Sequence, residues 1–474
     1  MSETIKSEEF IKSTKERLDF VSIRPGGNNT GLVLSKIGDL MEKKKINDLL
    51  MSCYPNIEQV GFIFVNNNNL NLEMAGGEFC GNATRSATFL ALDGKVGDLQ
   101  VKVSGVNSLL KAGVKEDGEA YAQMPVYEDL SKINQDPENP NAWLVEMEGI
   151  SHYLIFQDSI FSDNTNIEQT KKEALEIIKK KGLLNFSAAG VIKVSKDNNE
   201  WRIDPVVYVK NINTCFYETA CGSGTTALGE VLAVLNNASI QDVPVRQPSG
   251  EIIKVGVELV NKKIKYAEIS GQVELLNKGI IKELKNNKKV IIEIVSGEKS
   301  LKKCLFEEGL ISLYQKIFAD FPYFEQFDEA EVDAYFEDYL SNGKVLIARD
   351  KGKIVGFAAA YPFVEEPIVR GILIKQKINP DDCSYIAELG VDSESRGNGI
   401  GQALIEELLL ELPNDKNPVL RTNINNEVAQ KLYQRLGFYI IPGAIETVRR
   451  NRTEGAEIED QRLFMIKSLL NNYG

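Results

Sequence analysis

The sequence predicts a mixed α+β and α/β chain: a pseudo-symmetric, two-lobed unit followed by a separate α/β unit. Three observations carry this reading. A cysteine phrase occurs twice, as Glu78-Phe79-Cys80-Gly81-Asn82-Ala83-Thr84 and as Thr219-Ala220-Cys221-Gly222-Ser223-Gly224-Thr225. Short β-type runs and turn residues surround each copy, and each copy opens into a helix-like run. Beyond the lysine-rich stretch Lys282–Lys303 the texture changes to longer helical runs and a glycine-rich turn. At 474 residues, two or three domains are expected.

Residues 1–18 read as a polar leader without the apolar core of a signal peptide. Leu18–Ile23 and Gly31–Ser35 read as strands around the turn Arg24–Thr30. Gln59–Val65 is an apolar strand with a hairpin tip at Asn66–Asn69, and Leu70–Met74 leads into the first cysteine turn. Leu99–Val103 and Ser108–Val114 form a hairpin, and Tyr121–Val126 a further strand. Asp136-Pro137-Glu138-Asn139-Pro140-Asn141 is turn chemistry and marks the boundary between a first half, 19–135, and a second, 136–285. Trp143–Met147, His152–Phe156, Ala188–Val194 and Pro205–Val209 read as strands, Ile167–Lys181 as an amphipathic helix, and Ile252–Leu259 and Ile264–Leu276 as late strands. Two halves of this kind suggest an internal duplication.

Residues 286–300 read as a linker and 301–474 as the last domain. There, Ser300–Asn342 is mostly helical, and Lys344–Ala348 and Lys353–Tyr361 form a hairpin. Tyr385–Val391 and Val419–Asn423 are strands, and Gly399–Leu412 and Glu427–Leu436 helices.

The net charge of −13 disfavours nucleic acid as a partner, because phosphate binding needs clustered Lys and Arg. No long apolar run predicts a membrane span. The six cysteines, Cys53, Cys80, Cys215, Cys221, Cys304 and Cys383, are scattered, without metal-site or disulfide-framework spacing. The expectation is a reducing cytoplasm and no metal; oligomerisation is left open. An isolated cysteine of this kind reads as a small core hydrophobe, and only Cys80 and Cys221 escape that reading through their shared context.

Both cysteines precede a helix start, where unpaired N–H groups and the helix dipole favour negative charge. A thiol placed there is expected to have a lowered pKa. Gly81 and Gly222 allow a tight turn close to a ligand, and Asn82 and Ser223 are natural cap residues. Facing each other, two such starts could bind one carboxylate and put a sulfur on either face of the adjacent carbon. That suits stereoinversion: one thiolate removes the α-proton, the opposing thiol returns one, and N–H groups stabilise the charge that develops. No metal or pyridoxal cofactor is required.

At these residues the chain resembles the diaminopimelate epimerase superfamily, which includes proline racemase and the histidine racemases. The resemblance covers about Asp19–Leu276 and rests on Gly76–Arg85 and Tyr217–Thr225. Gly27-Asn28, Gly149–His152 and Ser270-Gly271 are similar to weaker landmarks. It implies two pseudo-symmetric halves, each a sheet around a central helix, with the last strand returning to the first half. It implies Cys80 and Cys221 as the catalytic pair, and Asn28, Gly81, Asn82, His152, Glu218, Gly222, Ser223 and Gly224 as substrate-site candidates. Asn28 is a ligand or a turn residue, and Glu218 holds an ammonium or caps the turn. His152, the single histidine, is structural or lines the site. The epimerase's Glu-Arg pair ahead of the second cysteine is missing, since Asn211–Ala220 contains no arginine, and its Asn-Pro-His landmark is Ile150-Ser151-His152 here. A second amino-acid head group is therefore disfavoured. The cysteine phrases are nearer to those of the histidine racemases, which makes histidine the first substrate and another single-headed amino acid the next.

Ile386–Gly401 reads as strand, turn and helix start, with glycines at 397, 399 and 401 whose N–H groups could converge on a pyrophosphate. Asn425, Ala429, Leu432-Tyr433 and Gly437-Phe438 resemble the closing motif of the GNAT N-acetyltransferases, over about Leu301–Leu469. The resemblance implies acetyl-CoA binding by Val391, Arg396, Gly397, Asn398, Gly399, Ile400 and Gly401. It places Asn425 beside the pantetheine arm and makes Tyr433 the acid for the departing thiolate. Glu388 is a candidate base for the acceptor ammonium or a surface carboxylate. The expected whole is a cofactor-independent amino-acid racemase fused to an acetyl-CoA-dependent N-acetyltransferase, both taking small-molecule substrates. The alternatives are diaminopimelate or another amino acid as substrate, an isomerase with a single carboxylate base, which two intact cysteines oppose, or one unit acting as a scaffold or regulator.

Overall fold

The computed structural model describes residues 17–66, 69–158, 166–197, 200–210, 214–284, 287–451 and 457–468. Most of the expected leader lies outside the described residues. The chain separates into two compact units, one centred on Leu18–Asn277 and one on Lys278–Gly474.

In the first unit one succession of elements occurs twice. The first copy runs strand Asn29–Val33, helix Leu40–Cys53, strands Ile57–Asn66 and Asn69–Met74, helix Gly81–Ala91, then strands Gly97–Val103, Leu109–Val114 and Ala120–Gln123. The second runs strand Ile150–Phe156, helix Ile167–Lys180, strands Ala188–Asp197 and Glu200–Val209, helix Gly222–Asn236, then strands Ile240–Arg246, Ile252–Val260 and Lys263–Gly271. Pairings repeat with the elements. A parallel pair (Gly31↔Val60; Tyr153↔Val191) precedes a hairpin (Ile63↔Leu72; Val194↔Ile203), and a second parallel pair follows (Leu70↔Val101; Trp201↔Val245). Antiparallel strands close each copy. The short strand Thr214–Tyr217, just ahead of Cys221, is an insertion in the second copy.

The helices that begin at Gly81 and Gly222 are the centres of the copies. The first is buried from Gly81 to Thr88 and the second from Gly224 to Ala233. A helix surrounded on all sides carries no polar stripe, and small side chains let strands approach from every direction. Its hydroxyls turn back on its own carbonyls: Thr84 on Cys80, Thr88 on Thr84, Thr225 on Cys221 and Thr226 on Gly222, at 2.7–2.9 Å. The first helix packs with Val21, Ile23, Leu72 and Val101, the second with Leu154, Ile192, Val245 and Val255. Strand Ala120–Gln123 pairs with Lys263–Gly271 (Tyr121↔Ser270), so the last strand of the second copy joins the first.

Three features differ from the sequence reading. The Asp136–Asn141 turn is a hairpin within the second half (Asp136↔Asn139), and the core changes earlier, between Ala122 and Met124. The same turn chemistry serves a hairpin and a boundary, so composition does not separate them. Helix Leu40–Cys53 was not expected. Its lysines dilute the periodicity, although Asp39 caps it and Ile46, Leu50 and Cys53 are buried. In place of a linker, Lys289–Ile294 is a buried strand between Glu274–Glu283 and Lys344–Asp350 (Ile281↔Ile291; Ile292↔Ala348).

The second unit continues antiparallel through Lys344–Asp350, Lys353–Tyr361 and Cys383–Val391. Helix Ile400–Glu411 then makes the crossover to the parallel strand Asn417–Asn423, and Glu457–Ile466 and Tyr439–Asn451 follow. Those last two strands and helix Pro367–Lys375 carry no signal the sequence reading used. Pairing between Cys383–Val391 and Asn417–Asn423 runs from Cys383↔Asn417 only to Ile386↔Leu420, so the strands part just before Glu388. A bulge opposite Ala359 and Ala360 adds to that parting.

Candidate active sites

Each cysteine is the N-cap of its helix, with extended backbone (φ −138°, ψ 111° at Cys80; φ −126°, ψ 105° at Cys221). Each sulfur accepts the N–H three residues on, from Ala83 at 3.4 Å and from Gly224 at 3.2 Å. The cap is thus the cysteine itself and not Asn82 or Ser223. Ser223 lies in the first turn with Oγ 3.5 Å from Cys221 Sγ. Asn82 faces inward, donating to the Ala220 carbonyl at 3.4 Å and accepting from Arg85 at 2.9 Å.

The two helix starts converge. A Cβ on Gly81 would stand 3.0 Å from Ile269 Cδ1, and one on Gly222 2.7 Å from the same atom and 3.6 Å from Asn82 N. Neither glycine has positive φ. Close packing, and not the tight turn expected, is what requires them. Gly224 is hemmed in the same way, by Ile192 at 3.0 Å and Cys221 Sγ at 3.2 Å.

Links between the halves hold this junction. Asn28 donates to the Ala220 carbonyl at 3.1 Å, Ser249 donates to the Gly26 carbonyl at 2.8 Å, and Thr219 donates to the Glu58 carboxylate. Arg85, fully buried, donates to the carbonyls of Pro25 (2.9 Å) and Gly271 (3.2 Å) as well as to Asn82. Burial lowers its pKa to about 10, so it stays cationic at neutral pH. Gln247 Oε1 accepts the Cys221 N–H at 2.9 Å, and the Cys80 thiol donates to Gln59 Oε1 at 3.0 Å.

The electrostatics overturn the expectation of acidic thiols. Burial pushes the Cys80 thiol up to about 12, and the charges of Glu218 and Glu78 push the same way. Cys221 is raised well above its ordinary value by burial, then by Glu218, which accepts a hydrogen bond from the protonated thiol. Glu218 is itself raised to about 7, first by burial, and feels Glu58 and Glu78, both also raised by burial. One N–H per sulfur is too little to offset this much desolvation. Glu58, Glu78, Gln59, Gln247 and Arg85 were missed as site residues. The available signal was the acidic residue shortly before each cysteine.

Asn28 is buried, and its Oδ1 has no partner among the described residues. His152 is also buried, with neither ring nitrogen bonded among the described residues, and burial lowers its pKa to about 3. It is a neutral imidazole on the strand face that carries Leu154, lying against Gly190. Among the described residues no group of three or more His, Cys, Asp or Glu side chains converges as for a metal ion, and no helix is long and apolar enough to cross a membrane.

In the second unit Gly397 (φ +81°) and Gly399 (φ +93°) hold the turn before helix Ile400–Glu411, which has no side-chain cap on its first N–H groups. Arg396 Nε donates to the Val391 carbonyl at 3.1 Å, and Asn398 to the Ser395 carbonyl at 3.1 Å. A Cβ on Gly401 would touch Val391 and Leu432, so helix Glu427–Arg435 packs against this loop and brings Tyr433 with it. Tyr433 is buried, its pKa raised by burial and then by Tyr323 and Glu388. Glu388 Oε1 accepts from Tyr339 at 3.0 Å and Tyr314 at 3.2 Å. Asn426 caps the helix; Asn425 instead gives its N–H to Asn423 Oδ1 at 2.9 Å.

Residues 17–281 match the family described as the histidine racemase CntK N-terminal domain, and residues 310–438 match the GNAT acetyltransferase family. A histidine racemase of Fusobacterium nucleatum is 36% identical over 246 residues, 49% of this chain and 87% of that protein. One of Staphylococcus aureus is 28% identical over 252 residues, 50% of this chain and 88% of that protein. A hydroxyproline epimerase from Agrobacterium vitis, solved with trans-4-hydroxy-L-proline, aligns with a TM-score of 0.43 and 11% identity, covering 57% of this chain and 92% of that one. The chain belongs to the histidine racemase family and is an enzyme that carries, C-terminal to its racemase unit, a GNAT-family acetyltransferase unit.

Proposed function

We propose that the first unit inverts the α-carbon of a free amino acid, histidine first, by proton exchange between Cys80 and Cys221 with no cofactor. The observation that carries this is the matched placement of the sulfurs, each capping a buried helix, with the helix starts meeting at Ile269. One thiolate takes the α-proton while the opposing thiol delivers its own to the other face, so the sulfurs exchange protonation states. Glu218, bonded to the Cys221 thiol, is the group that can take up a thiol proton. N–H groups of the helix starts receive the substrate carboxylate and the charge that grows on it. Asn28, Gly81, Asn82, Gly222, Ser223 and Gly224 shape that end, and His152 backs it from the core.

Three carboxylates around two thiols suit a substrate with an ammonium and a second basic group. A cation entering among Glu58, Glu78 and Glu218 favours the thiolate that their charges oppose. Free thiols of this kind suit a reducing compartment such as the cytoplasm.

The second unit transfers an acetyl group from acetyl-CoA to an amine. Acetyl-CoA supplies the activated acyl group; Arg396–Gly401 fits its pyrophosphate, and the parting strands beside Val391 fit its arm, with Asn425 at the cleft's end. Glu388 removes the acceptor's proton and Tyr433, held neutral by burial, protonates the leaving sulfur.

The test is deuterium uptake at the α-carbon in heavy water. Histidine of either configuration should exchange with the wild-type protein. Cys80→Ala or Cys221→Ala should abolish interconversion, a loss of at least about 10²–10⁴-fold. Full interconversion in either variant would exclude the two-thiol route.

A further inference from the structure

In the second unit two neighbouring buried donors lack acceptors among the described residues. Asn423 is fully buried; its Oδ1 accepts the Asn425 N–H at 2.9 Å, which fixes the amide and sends Nδ2 the other way. Nδ2 has no acceptor among the described residues. Directly across the antiparallel strand pair stands Arg462, 7% exposed. Its Nη2 donates to Glu325, while its Nη1 is buried without an acceptor among the described residues. Cross-strand partners present their side chains to the same face. An amide and a guanidinium donor therefore stand side by side, both withdrawn from water, which native folds seldom tolerate without a function.

Their position gives the function. The Arg462 guanidinium lies 4.8 Å over the Tyr323 ring, and Tyr323 OH accepts from Asn426 at 3.2 Å. Asn426 in turn caps the helix that carries Tyr433. The donors thus border the acetyl-transfer centre. One end of that region offers a carboxylate, Glu388, and the other offers a guanidinium and an amide. A zwitterion matches both ends; a simple amine matches one.

We propose that Asn423 and Arg462 receive the carboxylate of the acetyl acceptor, so that the second unit acetylates a free amino acid. This rests on the acetyltransferase reading above. The other source of an oxygen is an amide carbonyl of the acetyl-CoA arm, and the experiment separates the two.

Full-length protein is titrated with acetyl-CoA and then assayed for thiol release with the twenty amino acids, in both configurations, and with their decarboxylated amines. The expected result is at least one amino acid used roughly 10²-fold or more better, in kcat/KM, than its decarboxylated amine. Asn423→Ala should raise KM for that amino acid about tenfold or more and leave KM for acetyl-CoA unchanged. Arg462→Lys, which keeps a cation beside Glu325, should shift the same constant. A rise confined to the acetyl-CoA KM assigns the donors to the arm and overturns the inference while the acetyltransferase stands. Acetylation of decarboxylated amines alone, or of none of the panel despite acetyl-CoA binding, overturns it as well. Failure to bind acetyl-CoA removes the acetyltransferase reading itself.

Discussion

The sulfurs of Cys80 and Cys221 each accept one backbone N–H, and each is held protonated by burial and by Glu218. Replacing Glu218 by glutamine removes a charge that acts on both. Alkylation by iodoacetamide, mapped to Cys80 and Cys221 by mass spectrometry, should then begin at lower pH than in the wild type. The location of both thiols at helix starts was legible in the sequence; their acidity was not. It depends on groups distant along the chain, Glu58 and Glu78 among them, that folding alone brings to Glu218. Glu230 makes a second case. It lies in the middle of the second central helix, 1% exposed, with Oε2 unpartnered among the described residues and its pKa raised by burial to about 8. Its folded-state pKa lies above that of a carboxylate in the unfolded chain. The folded state therefore holds the extra proton between about pH 4.3 and about pH 8, and stability falls as pH rises through that window. Glu230→Gln should raise the melting temperature by several degrees at pH 8–9 and leave it unchanged near pH 4. A melting curve against pH checks this.

Among elements, the strands of the second half show how closely packing is set. A Cβ on Gly190 would stand 2.2 Å from His152 Nδ1, on the neighbouring parallel strand. Gly190→Ala should therefore destabilise the first unit by roughly 1–3 kcal/mol as overpacking. In a His152→Ala background the same change should cost little, a coupling that a double-mutant cycle in urea measures. Elements with plain periodicity were legible: the hairpin at Gly97–Val114, helix Ile167–Lys180 and the strand-turn-helix at Cys383–Glu411. Helix Leu40–Cys53 and strand Lys289–Ile294 were not. Lysines mask the first, and the second is an apolar island inside a lysine-rich run, where composition argues for a connector while burial between two strands decides otherwise.

For the molecule as a whole, the repeat of topology in the first unit is far more complete than the repeat of sequence. Strands tolerate exchange among apolar residues as long as pattern and volume hold, so only the helix starts, where both copies meet the same steric and chemical demands, kept a common phrase. That phrase sufficed to read the two-lobed class, and the glycine turn with Tyr433 sufficed for the second unit. Each unit has its own buried core. Cys221→Ala should accordingly stop racemisation and leave acetyl transfer at its wild-type rate, while Tyr433→Phe should slow acetyl transfer by about 10²-fold or more and spare racemisation. Parallel assays on the same preparations decide both.

A cap made of sulfur has an awkward corollary. Peroxide would add oxygen to an atom that already receives the N–H of the third residue on, at 3.4 Å in Cys80 and 3.2 Å in Cys221, and would turn the cap into a larger, more polar group. Oxidative injury at either position would therefore be written into the architecture as well as the turnover, loosening the start of the helix that the damaged residue caps.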